Sequence, residues 1–175
     1  DAQVREHSEG REMTANILPS ASAEKHYPIA FNLIPQIDVF CDNLYTKEEM
    51  KMVNETKKIM EDYEMRITAT TIRVPVYRSH SEPVNIELEK EVDAGAMREA
   101  LAKFPGVTVQ DDPSKQEYPM PLYTSEKDDV YVGRLRRDES CEKSYNMWVV
   151  GDQIRKGAAL NTLQIAETMI KNGWI

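Results

Sequence analysis

The 175-residue sequence has few of the residues that build disulfide frameworks or metal sites, and its acidic residues outnumber its basic ones. Its two cysteines, Cys41 and Cys141, lie far apart with no CxxC spacing, a pattern of free thiols that predicts a reducing, cytoplasmic location. The three histidines (His7, His26 and His80) have no cysteine or histidine partner at ligand spacing, so we expect no metal. The net charge of -8 argues against a nucleic-acid or anionic-membrane partner, because either would require a basic face.

Long apolar runs are also missing. No stretch approaches the roughly 20 apolar residues that span a bilayer. There is no leader of basic, then apolar, then small residues, and the sequence begins at Asp1, so we expect a processed piece or a segment. Hydrophobic residues at 41% and charged residues at 30% are typical of a soluble globular protein that is long enough to bury a core.

The apolar pattern predicts a mixture of helices and strands. Thr46 and Glu49 have the spacing of a capping box, which predicts a helix from Thr46 to about Met60. The pattern predicts an extended segment at 29–38, strands at 67–76, 84–88, 107–109, 130–136 and 146–150, and further helices at 93–103 and 157–171. Residues 111–129 are predicted to be irregular. Because strands and helices do not strictly alternate, the predicted fold class is α+β, a mixed and largely antiparallel sheet with helices on one face.

The strongest candidate for chemistry lies between Arg73 and Glu82. Arg73 is on the opposite side of the predicted strand from three aliphatic residues, so it either reaches solvent or pairs with an anion, and a guanidinium suits a carboxylate. His80 follows in a polar break at the end of that strand. An imidazole there could exchange protons with a substrate near neutral pH. The alternative is a solvated histidine with a structural role.

Two weaker candidates lie elsewhere. Glu55 and Lys58 share one face of the predicted helix, and the alternative to a site is a surface ion pair. Residues 152–159 place small side chains at the start of the last helix, where backbone N–H groups could approach an anion or another domain. That segment lacks the spacing of a phosphate loop, and helix packing is the alternative.

Five blocks of this sequence resemble the aspartate-semialdehyde dehydrogenase family, in the family's order and spacing. They are HYPIAFNLIPQID at 26–38, EEMKMVNETKKI at 48–59, RVPV at 73–76 with HSE at 80–82, VGRLR at 132–136, and WVVGD at 148–152 with RKGAA at 155–159. The resemblance covers the chain from about residue 17 to its end. It implies the substrate-binding and dimerisation half of such an enzyme, with a fold like the C-terminal domain of glyceraldehyde-3-phosphate-dehydrogenase-like enzymes.

The resemblance also implies a role for each matching residue. His80 matches the general acid/base, Arg73 the arginine that binds the substrate α-carboxylate, Glu55 the acid that holds the amino group, and Lys58 a cation for phosphate. Gln153 matches a position near the cofactor, NADP. The family converts L-aspartyl 4-phosphate to L-aspartate 4-semialdehyde through a thioester on a cysteine, in the biosynthesis of lysine, threonine, methionine and isoleucine. Neither cysteine of this chain matches that nucleophile.

The family likeness further implies a division of the chain. Residues 1–25 would be a polar segment or linker, 26–150 the substrate-binding and dimerisation domain, and 151–175 a helix that returns to an upstream nucleotide-binding domain. The chain alone would be inactive, and a homodimer is expected. Alternatives are a non-catalytic dimerisation or interaction domain, and a related acyl-phosphate reductase. The chain departs from the family pattern at three positions, namely Thr71 where cysteine is common, Ser79 where glycine is common, and Gln153 where asparagine is usual.

Overall fold

The computed structural model describes residues 1–175, which form two compact units, Asp1–Pro75 and Val76–Ile175. The first unit contains helices α1 (Ala2–Ser8) and α2 (Lys47–Met60). The second contains strands β1 (His80–Glu87), β2 (Val107–Val109), β3 (Val130–Arg137) and β4 (Ser144–Gly151), and helices α3 (Ala94–Ala102), α4 (Pro121–Thr124) and α5 (Leu160–Lys171). No helix combines the length and the apolar character needed to cross a membrane.

Helix α2 begins at the predicted capping box. The Thr46 hydroxyl accepts a hydrogen bond from the Glu49 backbone N–H at 3.2 Å, and the Glu49 carboxylate accepts one from the Thr46 N–H at 2.7 Å. The second carboxylate oxygen of Glu49 accepts from the Thr71 N–H at 2.9 Å. Since Thr46 and Glu49 are both buried, this carboxylate joins the helix start to the segment that leads to Arg73.

We expect Glu49→Gln to destabilise the protein by about 1–2 kcal/mol at pH 7, because a hydrogen bond to a charged group is worth more than one to an amide. The backbone N–H groups of Thr46 and Thr71 lower the pKa of Glu49 in the folded state. A lowered pKa contributes stability above the unfolded value, near 4.5, and that stability is lost as the pH falls through the folded value. Urea unfolding at pH 7 and at pH 3 should show the deficit of the variant shrinking in acid.

A matched control is Glu48→Gln, which removes only a surface ion pair with Lys51 and should change the free energy of unfolding by less than about 0.5 kcal/mol. A Glu49→Gln deficit that stays constant down to pH 3 would contradict the role of the ionised carboxylate.

The strand predicted at 67–76 is absent. Only Arg73 pairs with another segment, through two backbone hydrogen bonds with Ile34 at 2.8 and 3.1 Å. The alternating residues Ile72, Val74 and Val76 are 44%, 38% and 46% exposed, so they do not face a core. Pro75 has no N–H to continue the ladder, which explains why pairing stops after one bridge.

The second unit contains a four-stranded sheet in the order β1-β4-β3-β2. β4 pairs antiparallel with both β1 and β3, and β2 pairs parallel with β3, so the predicted mixed and largely antiparallel sheet is confirmed. β2 has the predicted bounds, whereas β3 and β4 extend slightly beyond theirs. β1 begins at His80 rather than near 84, so the prediction that His80 lies in a polar break is wrong.

The core of the second unit lies where β3 and β4 meet the segment before α3. Val132, Leu135, Tyr145 and Val150 are buried. The Tyr145 hydroxyl donates to the carbonyl of Val92 at 2.5 Å and accepts from its N–H at 3.0 Å. This pair of bonds satisfies the only polar atom of a buried ring and fixes the chain as it enters α3.

The last helix begins later than predicted. A π-helical turn, Arg155–Ala159, precedes α5. Two of the predicted apolar positions, Leu163 and Ile170, are 63% and 64% exposed. The apolar stripe of α5 is therefore open to solvent in this chain.

Candidate functional site

His80 is the exposed first residue of β1, opposite Gly151 at the end of β4. The residue before it, Ser79, is only 2% exposed and has a φ of 74°, in the left-handed region that favours glycine. A buried serine in that conformation requires compensating contacts. The exposed His80 therefore follows directly after a buried residue, Ser79, whose backbone conformation must be stabilised by its neighbours.

Hydroxyl groups surround the Ser79 side chain. Its Oγ lies 3.2 Å from the Ser125 Oγ and accepts a hydrogen bond from the Thr124 hydroxyl at 3.3 Å. Thr124 is itself buried and belongs to α4, which contacts β4. These bonds satisfy the polar side chain of Ser79, and help to hold its strained backbone in place.

The Ser79 backbone N–H donates to Oε1 of Gln153 at 2.9 Å, although the two residues are 74 positions apart in sequence. Gln153 was assigned from the resemblance to a cofactor position. In the structure its side-chain carbonyl oxygen accepts the hydrogen bond from Ser79, beside His80. Its Nε2 group remains available to donate elsewhere.

The buried side chain of Asp152 also lies against the turn that precedes His80. Its carboxylate, which is fully buried, accepts hydrogen bonds from the backbone N–H groups of Glu126 (2.7 Å), Ile154 (2.9 Å) and Arg155 (3.3 Å). The Nε of Arg78 lies 2.7 Å from it. Burial opposes ionisation of Asp152, but these backbone donors and Arg78 outweigh it and lower the pKa.

Sequence reasoning missed Arg78 and Asp152 as parts of this turn. Arg78 stands two residues before His80 in the sequence, but no local pattern connects Arg78 to Asp152. The Asp152 carboxylate accepts from Ile154 and Arg155, which follow it directly in sequence, but only the fold brings Glu126 and Arg78 to it.

In the first unit, Arg73 lines a shallow cavity of about 350 Å³. The wall includes the carboxylates of Asp38 and Glu48 and the apolar side chains of Ile17 and Ile37. Arg73 is exposed, and its guanidinium makes no hydrogen bond or ion pair within the chain. The five donors of that group are thus available to an anionic ligand.

Glu55 and Lys58 are exposed on α2, at the i, i+3 spacing that places them on one face. The surface ion pair that was the alternative does not form between them. Neither residue lines the cavity beside Arg73. No group of three or more His, Cys, Asp or Glu side chains is placed to hold a metal ion, and both cysteines are free thiols.

Comparison with known proteins identifies the family. Residues 2–156 match the family described as semialdehyde dehydrogenase, dimerisation domain. The aspartate-semialdehyde dehydrogenase of Aquifex aeolicus is 48% identical over 173 residues, which cover 99% of this chain and 49% of that protein. The enzyme of the same name from Bacillus subtilis is 50% identical over 162 residues, covering 91% of this chain and 46% of that protein.

Solved structures agree with these matches. Aspartate semialdehyde dehydrogenase II from Vibrio cholerae superimposes with a TM-score of 0.86 at 39% identity, covering 97% of this chain and 48% of that one. A second structure of that enzyme, described as complexed with ASA, gives the same values. The chain spans about half the length of the relatives it matches, and it belongs to the semialdehyde dehydrogenase dimerisation-domain family, among proteins named aspartate-semialdehyde dehydrogenase.

Proposed function

We propose that this chain is the substrate-binding and subunit-pairing half of an aspartate-semialdehyde dehydrogenase. The observation that carries the proposal is the exposed, unpaired guanidinium of Arg73 at the edge of a cavity. An arginine without an internal partner is suited to bind a carboxylate in a bidentate manner, as an amino-acid substrate requires. Family membership supports the same assignment.

The proposed reaction is the reversible reductive dephosphorylation of L-aspartyl 4-phosphate to L-aspartate 4-semialdehyde. Arg73 would bind the α-carboxylate, Glu55 the amino group and Lys58 the phosphate. Three contacts on one small substrate hold its reacting carbonyl in place, and such positioning is a large part of enzymatic rate enhancement. The nucleophilic cysteine would come from the other half of the enzyme, as would most of the nucleotide site.

His80 would exchange the protons. A histidine is the side chain suited to give and take a proton near neutral pH. In the reductive direction it would accept the proton of the attacking thiol, and it would return that proton to the thiolate that leaves when the tetrahedral intermediate collapses to the aldehyde. Its place at the start of a paired strand supports this role, since a catalytic base requires a fixed backbone.

NADPH would supply the hydride in the reductive direction, and NADP would accept it in the reverse direction. The one residue of this chain assigned to the cofactor is Gln153, and the side chain fits that assignment in one respect, because Ser79 uses only its Oε1 atom and the Nε2 group can donate to a carboxamide oxygen. The exposed stripe of α5 is consistent with a helix that packs on the nucleotide-binding part. We further propose a homodimer in the cytoplasm, with no nucleic-acid or membrane partner.

The experiment that tests the substrate site is Arg73→Lys in the longer enzyme that carries this chain. Lysine keeps the charge but cannot form two parallel hydrogen bonds to a carboxylate. We expect kcat/KM for aspartate semialdehyde to fall about 100-fold, a loss of about 2.7 kcal/mol in transition-state stabilisation. Steady-state kinetics with NADP and phosphate at saturation measures this.

Arg5→Lys is the matched control, since Arg5 is exposed on α1, and kcat/KM should stay within about twofold of the wild type. If Arg73→Lys behaves like Arg5→Lys, Arg73 does not bind the substrate.

A further inference from the structure

The antiparallel pairing of β1 with β4 continues beyond its last backbone pair. That pair is His80 with Gly151. The next residue on one side, Ser79, is held by Gln153, and the one before it, Arg78, lies against Asp152. The side chains of Asp152 and Gln153, which follow β4, thus contact the two residues before β1, where backbone pairing has ended.

Loss of the hydrogen bond to Gln153 would be costly because Ser79 is buried. Its N–H belongs to a residue that is 2% exposed, so water cannot easily replace the Gln153 oxygen. A buried N–H without a partner costs about 1–3 kcal/mol. The turn also holds a serine at a φ of 74°, and that strain is released if the turn is allowed to relax.

We infer that Gln153 is a positioning residue that fixes His80 through the backbone of Ser79. The catalytic role of His80 rests on the proposed function, but the structural part of the inference does not. A relaxed Ser79 would move the first residue of β1, which carries the imidazole. A displacement of about 1 Å at a reacting group can lower a rate about 100-fold.

The chemistry of the contact separates this role from a cofactor contact. Ser79 donates, so positioning requires only an acceptor at Oε1, which glutamate also provides. Methionine has nearly the same length and no comparable acceptor. A contact with the nicotinamide, in contrast, would require the Nε2 donor, which both replacements remove.

The test compares Gln153→Met with Gln153→Glu in two measurements. The first is amide hydrogen exchange of Ser79, followed by NMR on the 175-residue chain. We expect protection of the Ser79 N–H to fall at least about tenfold in Gln153→Met and to stay within about threefold in Gln153→Glu.

The second measurement is steady-state kinetics in the longer enzyme that carries this chain. With NADP at saturation, we expect kcat to fall about 10- to 100-fold in Gln153→Met and by less than about threefold in Gln153→Glu, whereas loss of the Nε2 donor should raise KM for NADP to a similar extent in both variants. Retention in Gln153→Glu also shows that the site tolerates substitution without unfolding.

Two results would overturn the inference. One is unchanged protection of Ser79 in Gln153→Met. The other is a rise in KM for NADP of similar size in both variants with kcat intact, which would make Gln153 a cofactor contact alone. A wild-type enzyme without dehydrogenase activity would instead contradict the proposed function, and the exchange measurement would still decide whether Gln153 holds the turn.

Discussion

Replacing His80 with asparagine should lower kcat by about 10²- to 10⁴-fold, the usual contribution of a positioned acid/base group. Asparagine keeps a polar side chain at the start of β1 but cannot exchange a proton near neutral pH. KM for aspartate semialdehyde should change only a few-fold, because the carboxylate and amino group of the substrate are assigned to Arg73 and Glu55. Steady-state kinetics in both directions of the reaction would separate the two constants.

His7→Asn serves as the control for this substitution. His7 lies on α1, remote in sequence from every residue given a catalytic role, and its ring is tilted by 51° against that of Phe31 at a centroid distance of 5.0 Å. Its kcat should remain within about twofold of the wild type. A His80→Asn variant that keeps more than a tenth of the wild-type kcat would remove His80 from the mechanism.

Gly133→Ala should destabilise the second unit by about 3 kcal/mol or more, because it forces atoms into occupied space. A Cβ at Gly133 would lie 2.2 Å from the carbonyl oxygen of Gln110 and 2.6 Å from Cδ of Pro119. Gln110 cannot easily retreat, since its N–H donates to Val132 at 2.8 Å beside the same glycine. Chemical unfolding monitored by circular dichroism measures the loss.

Gly157→Ala is the matched control in the same unit. Its Cβ would meet the Gln153 Cβ at 3.5 Å, an ordinary contact, and alanine favours helical backbone over glycine by about 1 kcal/mol. This variant should be as stable as the wild type or more so. If Gly133→Ala unfolds within about 0.5 kcal/mol of the wild type, the close approach at Gly133 is relieved by movement and carries little energy.

The elements that could be predicted from the sequence are those with local causes. The capping box requires only the side chains and the backbone N–H groups of Thr46 and Glu49, so its spacing predicts the start of α2. The strand predicted at 67–76, which is absent from the structure, shows what a local pattern does not contain. Alternation at Ile72, Val74 and Val76 describes a face of an extended chain but contains no information about a partner strand, and only Arg73 finds one.

The candidate site divides in the same way. The sequence proposes His80 and Arg73 as candidates because their motifs are contiguous. The contact between Ser79 and Gln153 joins residues 74 positions apart, and that between Glu126 and Asp152 joins residues 26 apart. No periodicity or spacing predicts such pairs. The first pair arises because β4 lies beside β1, which places the residues after β4 against the turn before β1. The second arises because β4 also pairs with β3, which places Asp152 near the segment that leads into β3.

The most direct test of the central claim is to join this chain to the part of the Bacillus subtilis relative that the chain does not match, and to measure phosphate-dependent reduction of NADP by aspartate semialdehyde. The fusion should turn over, the two parts should each be inactive alone, and His80→Asn should abolish most of the activity. A folded fusion without turnover, or activity of the Bacillus subtilis part without this chain, would contradict the claim that this chain supplies substrate binding and the acid/base.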